Sequence, residues 1–269
     1  MSSGYWLIGL LIASLFSSCS VSACTLKMGY RTNERPPLIS AHPDNSGLYQ
    51  HFYQTMAAHL GCQLEIVRGP KKRILKLLED GEIDFYPGFN FNEYRAVYTY
   101  YIETGFPGGE VGISRLDFSD INSLKDLEGS TILQSLGSPN FVRDLENIRI
   151  YAVPEMTIDK AVSLLRKKRG DFYIYNRASL LYYLKVSEST DIKVHPNCCG
   201  GVEPLYLGFS RRSHHYQETP NPGYDANQDL GPSNFPVSLR PGSKAFQIQK
   251  VLKEMKDSGE TDLIYSQYY

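Results

Sequence analysis

The stretch Pro70-Lys-Lys-Arg-Ile-Leu-Lys-Leu-Leu-Glu-Asp-Gly-Glu-Ile-Asp-Phe-Tyr86 decides the architecture. Ile74, Leu77 and Leu78 recur at helical spacing after a proline suited to a helix start. Gly81 can adopt the left-handed conformation that ends such a helix. Ile83 to Tyr86 then reads as a strand, so a helix passes into a strand across a few residues. The same alternation lies upstream. Thr25 to Tyr30 is a short strand with Leu26 and Met28 on one side, and Gln63 to Val67 is another. Between them Leu48, Phe52, Met56 and Leu60 recur every four residues, the apolar stripe of a helix. The order βαβαβ with short connections predicts a parallel sheet covered by helices.

A second unit of the same kind starts after Gly108-Gly109. Glu110 to Ser114 reads as a strand leaving the first unit. Lys125 to Gly129 and Ile132 to Gln134 read as a short helix and a strand, and Pro139 as the start of a further helix. Ile158, Ala161, Val162 and Leu165 form an amphipathic stripe. Phe172 to Tyr175 is a strand, Arg177 to Leu184 a helix, and Leu205 to Phe209 a strand that returns the chain. Residues 214–242 contain eight prolines and glycines, Pro220, Pro222, Gly223, Gly231, Pro232, Pro236, Pro241 and Gly242, and show no period, so they read as a long loop. Helices are expected over Lys244 to Lys256 and Thr261 to Tyr268.

The chain has 269 residues and a formal net charge of -1, which excludes the basic balance of a dedicated nucleic-acid binder. Its densest basic run, Arg166-Lys167-Lys168-Arg169, closes a predicted helix, where cations favour the helix dipole. Trp6 to Phe16 is an apolar stretch too short to span a bilayer comfortably, followed by small residues and Val21-Ser22-Ala23. Residues 1–23 are therefore expected to be a signal peptide. Val-Ser-Ala-Cys24 also fits a lipoprotein signal, so a soluble exported form and a form anchored through Cys24 are both open. Gly-x-Ser-x-Gly, His-Glu-x-x-His and Walker-type motifs are absent from the sequence. His51 and His59 share a helix face without an evident third ligand. No catalytic residue, metal or cofactor is expected.

Leu26-Lys-Met-Gly-Tyr30, Leu75 to Phe85, Gly88-Phe-Asn-Phe-Asn-Glu-Tyr-Arg95, Lys125-Asp-Leu-Glu-Gly129 and Met255 to Ile264 follow one another in an order that resembles the type 2 periplasmic solute-binding proteins. Within these the chain is similar to the polar amino-acid-binding family, bacterial extracellular solute-binding family 3. The resemblance covers nearly all of the chain after residue 23, with 214–242 as the main insertion. It implies an α/β fold of two lobes, each a mostly parallel sheet flanked by helices, joined by two hinge strands. Lobe 1 would comprise 24–110 and 206–269, and lobe 2 residues 111–205.

The resemblance also implies a ligand site between the lobes. Arg95 matches the arginine that grips a ligand carboxylate, for which a planar guanidinium offers two parallel hydrogen bonds. The alternative is a surface ion pair with Glu93 or Glu103. Gly88 matches a position that presents its backbone and Asn90 a hydrogen-bonding serine, although Asn90 also suits a plain turn. Phe89 would be part core and part cleft wall. In the second lobe Ser138 and Asn140 occupy the matching strand-to-helix turn, where Ser138 could equally be a simple helix cap. Pro139 there lacks an amide donor.

Asn176 stands where the family's amino-acid binders carry an aspartate for the ligand ammonium, and it also suits a helix N-cap. Gly47-Leu48-Tyr49 likewise lacks an acid that the pattern has. These departures imply a modified amino acid, a carboxylate without an amino group, or another polar ligand. Arg31, Glu34 and Tyr30 are further cleft candidates, with Glu34 a substitute negative charge. Among the 20 tyrosines, Tyr30, Tyr86 and Tyr94 are expected near cleft-facing strand ends.

In such a fold the first two strands are neighbours, which implies a Cys24–Cys62 disulfide. Cys198 and Cys199 would then form a vicinal disulfide or remain thiols. The function implied is a periplasmic receptor for a small polar ligand, monomeric and partnered by an inner-membrane ABC permease. A sensory subunit acting through a sensor protein and a periplasmic enzyme on the same fold are the alternatives.

Overall fold

The computed structural model describes residues 24–135, 141–153 and 156–269. The expected signal peptide, Ser138 and Asn140 lie outside the described residues. The chain runs β1 (Cys24–Arg31), α1 (Leu48–His59), β2 (Cys62–Gly69), α2 (Lys71–Asp80), β3 (Phe85–Phe89), α3 (Glu93–Ala96) and β4 (Thr99–Gly108). It crosses at Gly109 into β5 (Glu110–Arg115), a 3-10 turn (Leu124–Leu127), β6 (Thr131–Ser135), β7 (Arg149–Val153), α4 (Ile158–Arg166), β8 (Phe172–Asn176), α5 (Arg177–Val186) and β9 (Ile192–His195). It returns through β10 (Glu203–Ser210), β11 (Glu218–Pro220), β12 (Val237–Leu239), α6 (Lys244–Asp257) and α7 (Glu260–Ser266).

Two five-stranded sheets result, ordered β2-β1-β3-β10-β4 and β7-β6-β8-β5-β9. β1 is parallel to β2 and β3, and β6 is parallel to β7 and β8. The reversed strands are β10 in the first sheet and β5 in the second, the two that enter from the other half of the chain. This is the α/β architecture with two sheets flanked by helices that the sequence implied. One buried cluster runs from Leu26 to Phe106 and from Leu205 to Ile264, joined by Ala178. Two smaller clusters hold residues between Val111 and Cys198.

Local chemistry accounts for the elements. α1 buries Leu48, Phe52 and Met56, and α2 buries Ile74 and Leu78 one turn apart. Gly81 ends α2 at φ 80°, and a Cβ there would meet the Arg212 carbonyl oxygen at 2.5 Å. α4 is capped by Thr157 and α6 by Ser243, each accepting a hydrogen bond from a backbone N–H in the first turn. Cys24 faces Cys62 in the β1–β2 register, and the two are bonded with a Cα–Cα distance of 4.5 Å. Cys198 and Cys199 form a vicinal disulfide.

Four expectations need correction. The third strand begins at Phe85, not Ile83, because residues 81–84 are spent leaving α2. It extends through Gly88 and Phe89. Residues 141–147 form turns and bends where a helix after Pro139 was expected. β4, β7 and β9 were not foreseen. Four of the five β7 residues are exposed, so no alternation marks that edge, and β9 has only four residues. The segment 214–242 is not wholly irregular, since β11 and β12 pair as an antiparallel ribbon. Its entry is tied down by Asp84, which accepts hydrogen bonds from the Ser213 hydroxyl at 2.5 Å and the Lys27 N–H at 2.8 Å.

Candidate functional site

The first half presents an aromatic column at the end of its sheet. Tyr30 stacks on Tyr86 with centroids 5.6 Å apart, and Tyr86 stacks on Phe89 at 4.5 Å. Tyr49 meets Tyr30 edge-on at 5.8 Å. Gly88 owes its identity to this packing. Its φ is 67°, and a Cβ would lie 2.0 Å from the Tyr49 hydroxyl oxygen. The pairing of β10 with β3 shifts register here, between Tyr206 and Gly208, the mark of a bulge that re-aims Phe89.

Cations surround that column. Arg95 sits in α3, whose N-cap Asn92 accepts the Arg95 N–H at 3.1 Å. The Arg95 guanidinium lies 4.7 Å from the centre of the Phe89 ring. Among the described residues neither Glu93 nor Glu103 pairs with it, and no other carboxylate does. Burial pushes the Tyr86 phenol up to about 12, against the opposing pull of Arg31, Arg35 and Arg95. The Lys71 ammonium is lowered by loss of surrounding water and then by Arg31, Arg95 and Arg35. Arg68 lies 5.4 Å from the Tyr30 ring centre and donates to the Asn45 side chain at 3.1 Å. Like charges held this close lower each other's stability unless an anion sits among them.

Two hollows lie where residues of the two halves meet. The smaller, about 140 Å³, is lined by Arg35, Glu110, Gln134, Ser135, Tyr175 and Asn176, among others. The larger, about 640 Å³, sets Arg31, Glu34 and Arg35 against Ser135, Asp159 and Tyr183. Arg35, Ser135 and Tyr175 border both. Arg35 spans the halves, since its Nε–H donates to the Ser179 hydroxyl at 3.0 Å and its guanidinium lies 5.7 Å from the Tyr175 ring centre. The polar groups of the second half are largely engaged. The Ser135 hydroxyl accepts the Met156 N–H at 2.7 Å, and the Tyr183 hydroxyl donates to Asp159 at 2.9 Å.

The structure divides the residues expected from sequence. Arg31, Glu34 and Asn176 line the hollows, with Glu34 exposed at the rim. Asn176 is at once a cavity residue and the cap of α5, its Oδ1 accepting the Ser179 N–H at 3.2 Å and hydroxyl at 3.3 Å. Tyr30, Gly88, Phe89 and Arg95 build the aromatic and cationic wall and do not border the two hollows. Asn90 is exposed beside them, and Tyr94 is 88% exposed on α3, in the connection between β3 and β4. Arg35, Glu110, Tyr175 and Ser179 were missed. Arg35 follows Glu34 in a loop without a period. Glu110 read only as the first residue of a strand, and its charge within that strand was the one available signal.

No protein-family model and no curated protein sequence matches the chain. Solved structures do. An ancestral arginine-binding protein bound to arginine is 20% identical with a TM-score of 0.60, over 91% of this chain and 98% of that one. The GluR0 ligand-binding core from Nostoc punctiforme, in complex with L-glutamate, is 17% identical with a TM-score of 0.62, over 91% and 99%. The ancestral amino-acid-binding protein AncCDT-1, a precursor of cyclohexadienyl dehydratase, is 18% identical with a TM-score of 0.60, over 91% and 95%. At these identities the likeness establishes the fold, which is the two-lobed type II binding-protein fold implied by the sequence resemblance.

Proposed function

We propose that the chain is an extracytoplasmic solute-binding receptor that closes over a small, polar, carboxylate-bearing ligand, an amino-acid derivative or a related compound, for ABC-type uptake. One observation carries this reading. Arg31 and Arg35 line a cleft bordered by both halves, and Lys71 and Arg95 stand beside it within electrostatic reach of one another, with no carboxylate paired to Arg95 among the described residues. A guanidinium withheld from water binds a carboxylate with charge-assisted, bidentate geometry. Arg95 would take the carboxylate, with Gly88 offering backbone, Asn90, Ser138 and Asn140 offering polar contacts, and Asn176 facing from the second lobe. A ligand that touches both lobes binds the closed form better and shifts the population toward it. The closed form is what an inner-membrane permease would recognise.

The similar structures whose descriptions name arginine and glutamate support a binding role over a catalytic one. Export to the periplasm as a monomer, after cleavage at Ala23, completes the reading. No helix among the described residues is long and apolar enough to cross a membrane. The Cys24–Cys62 bridge engages the sulfur that lipidation would use, which favours the soluble form over the anchored one.

Native mass spectrometry of protein purified without refolding would identify a retained ligand. Calorimetry with that ligand would then compare the wild type with Arg95→Ala. The expected loss is about 2–4 kcal/mol, as for truncating one partner of a buried charged contact. Unchanged affinity would remove Arg95 from the site.

A further inference from the structure

The smaller hollow contains a carboxyl group for which the described chain provides no ion-pair partner. Glu110 is the first residue of β5, immediately after the crossing at Gly109, and its partner across the β5–β8 ladder is Asn176. Residues directly opposed in an antiparallel pair place their side chains on the same face. Both accordingly line the hollow. Glu110 is half-buried, and among the described residues no Lys, Arg or His lies within ion-pair distance of it.

Three groups on other elements act on it. Arg35, in the loop after β1, favours its ionised form. Glu203, at the head of β10, opposes ionisation. Tyr173, on β8, borders the same hollow and feels the Glu110 charge. Burial is the largest influence, and the carboxyl is pushed up to about 7.

The neighbouring polar groups are poorly placed to receive a cationic ligand group. The Asn176 Oδ1 already accepts two hydrogen bonds, and the Ser135 hydroxyl oxygen accepts the Met156 N–H. Glu34, the other acid at the cleft, is exposed to solvent at the rim. A carboxyl drawn out of water without a partner is costly unless something that binds there offsets the loss of solvation.

We infer that Glu110 is the residue that selects the ligand's nitrogen, its carboxylate receiving a protonated amine that the ligand carries into the smaller hollow. This rests on the receptor reading above, in which the cations of the first half hold the ligand carboxylate. It also revises the expectation drawn from Asn176. The acid has moved across one rung of the ladder and is not lost from the site.

The sign of the pH dependence follows. The complex requires ionised Glu110, whereas the free group is half protonated near pH 7. Below that pH, binding must release a proton, so affinity falls by up to about tenfold per pH unit, and above it affinity levels off. Were Glu110 instead a neutral donor to an anion, affinity would fall above pH 7.

The test is a calorimetric titration with matched probes, each an α-amino acid and its counterpart lacking the amine. L-glutamate with glutarate, L-leucine with 4-methylpentanoate and L-phenylalanine with 3-phenylpropanoate serve, run from about pH 5.5 to about pH 8 across the Glu110 titration. The expected result is binding by an amine-bearing member, at least about tenfold weaker binding by its counterpart, and loss of that preference in Glu110→Gln. Affinity of the wild type should fall below pH 7. That profile needs no variant, so the test survives if Glu110→Gln fails to fold. Equal binding by a deaminated counterpart, or affinity that rises as pH falls, overturns the role of Glu110 and leaves the receptor reading standing. Silence of the entire panel with the wild type overturns both.

Discussion

The first sheet runs β2-β1-β3-β10-β4 and the second β7-β6-β8-β5-β9, and in each the fourth strand opposes the rest. Within that common frame the halves are packed differently. The first has one continuous core, built on Phe52, Tyr53, Phe85 and Phe209, all fully buried. In the second, alternate residues of each strand part company. Leu133 and Tyr173 join the α4–α5 side, while Ile132, Phe172 and Ile174 join the other. The chemistry differs as well. The first half brings cations that have no ion-pair partner among the described residues, and the second brings helix caps, hydroxyls and amides engaged in hydrogen bonds, together with the acid Glu110. The same strand order thus carries two sorts of surface, because strand ends and the loops beyond them, not the frame, decide what a cleft can bind.

Core truncation is the harshest way to break this comparison. Phe85→Ala should lower stability by about 3–5 kcal/mol, since Phe85 packs within a continuous cluster and against Tyr53 at 5.0 Å. Leu165→Ala, equally buried in a smaller cluster, should fall at the low end of its range, about 2–3 kcal/mol. Urea denaturation of both variants measures this, and a reversed order would contradict the contrast drawn between the cores.

The disulfides differ in the same sense. Cys24–Cys62 joins residues 38 apart, so replacing both with serine should cost about 2–4 kcal/mol through the freedom restored to the unfolded chain. Cys198–Cys199 closes no comparable loop, and its removal should cost less. Thermal unfolding of the two double variants ranks them. A larger loss at the vicinal pair would mean that its role in the second core outweighs loop closure.

The smallest effect concerns Asn176. Asn176→Ala should lose about 1 kcal/mol as an N-cap, while Asn176→Asp keeps the cap and puts a favourable charge at the start of α5. If stability does not change in Asn176→Ala, the side chain serves the cavity alone.

The main helices of both halves were legible because their apolar residues repeat with a helical period and some ends carry local signals, such as Pro70 before α2 and Gly81 after it. Each signal lies within a few residues of the element it governs. Most strand interiors were legible for the same reason, but β4 was missed, and β7 was too, because an edge left mostly exposed has no apolar face to display. Arg31, Glu34 and Asn176 could be nominated as cleft residues from the order of motifs.

The sequence by itself determined much of the alternation of strands and helices and where many of them start and stop. Tertiary structure alone decided that Arg35 reaches Ser179, that the Tyr49 hydroxyl fills the space beside Gly88, and that Glu110 faces Asn176 across a ladder. The physical reason is range. Periodicity and capping act between residues close in the chain, whereas a cavity joins residues whose proximity depends on strand register and on where two chain crossings meet.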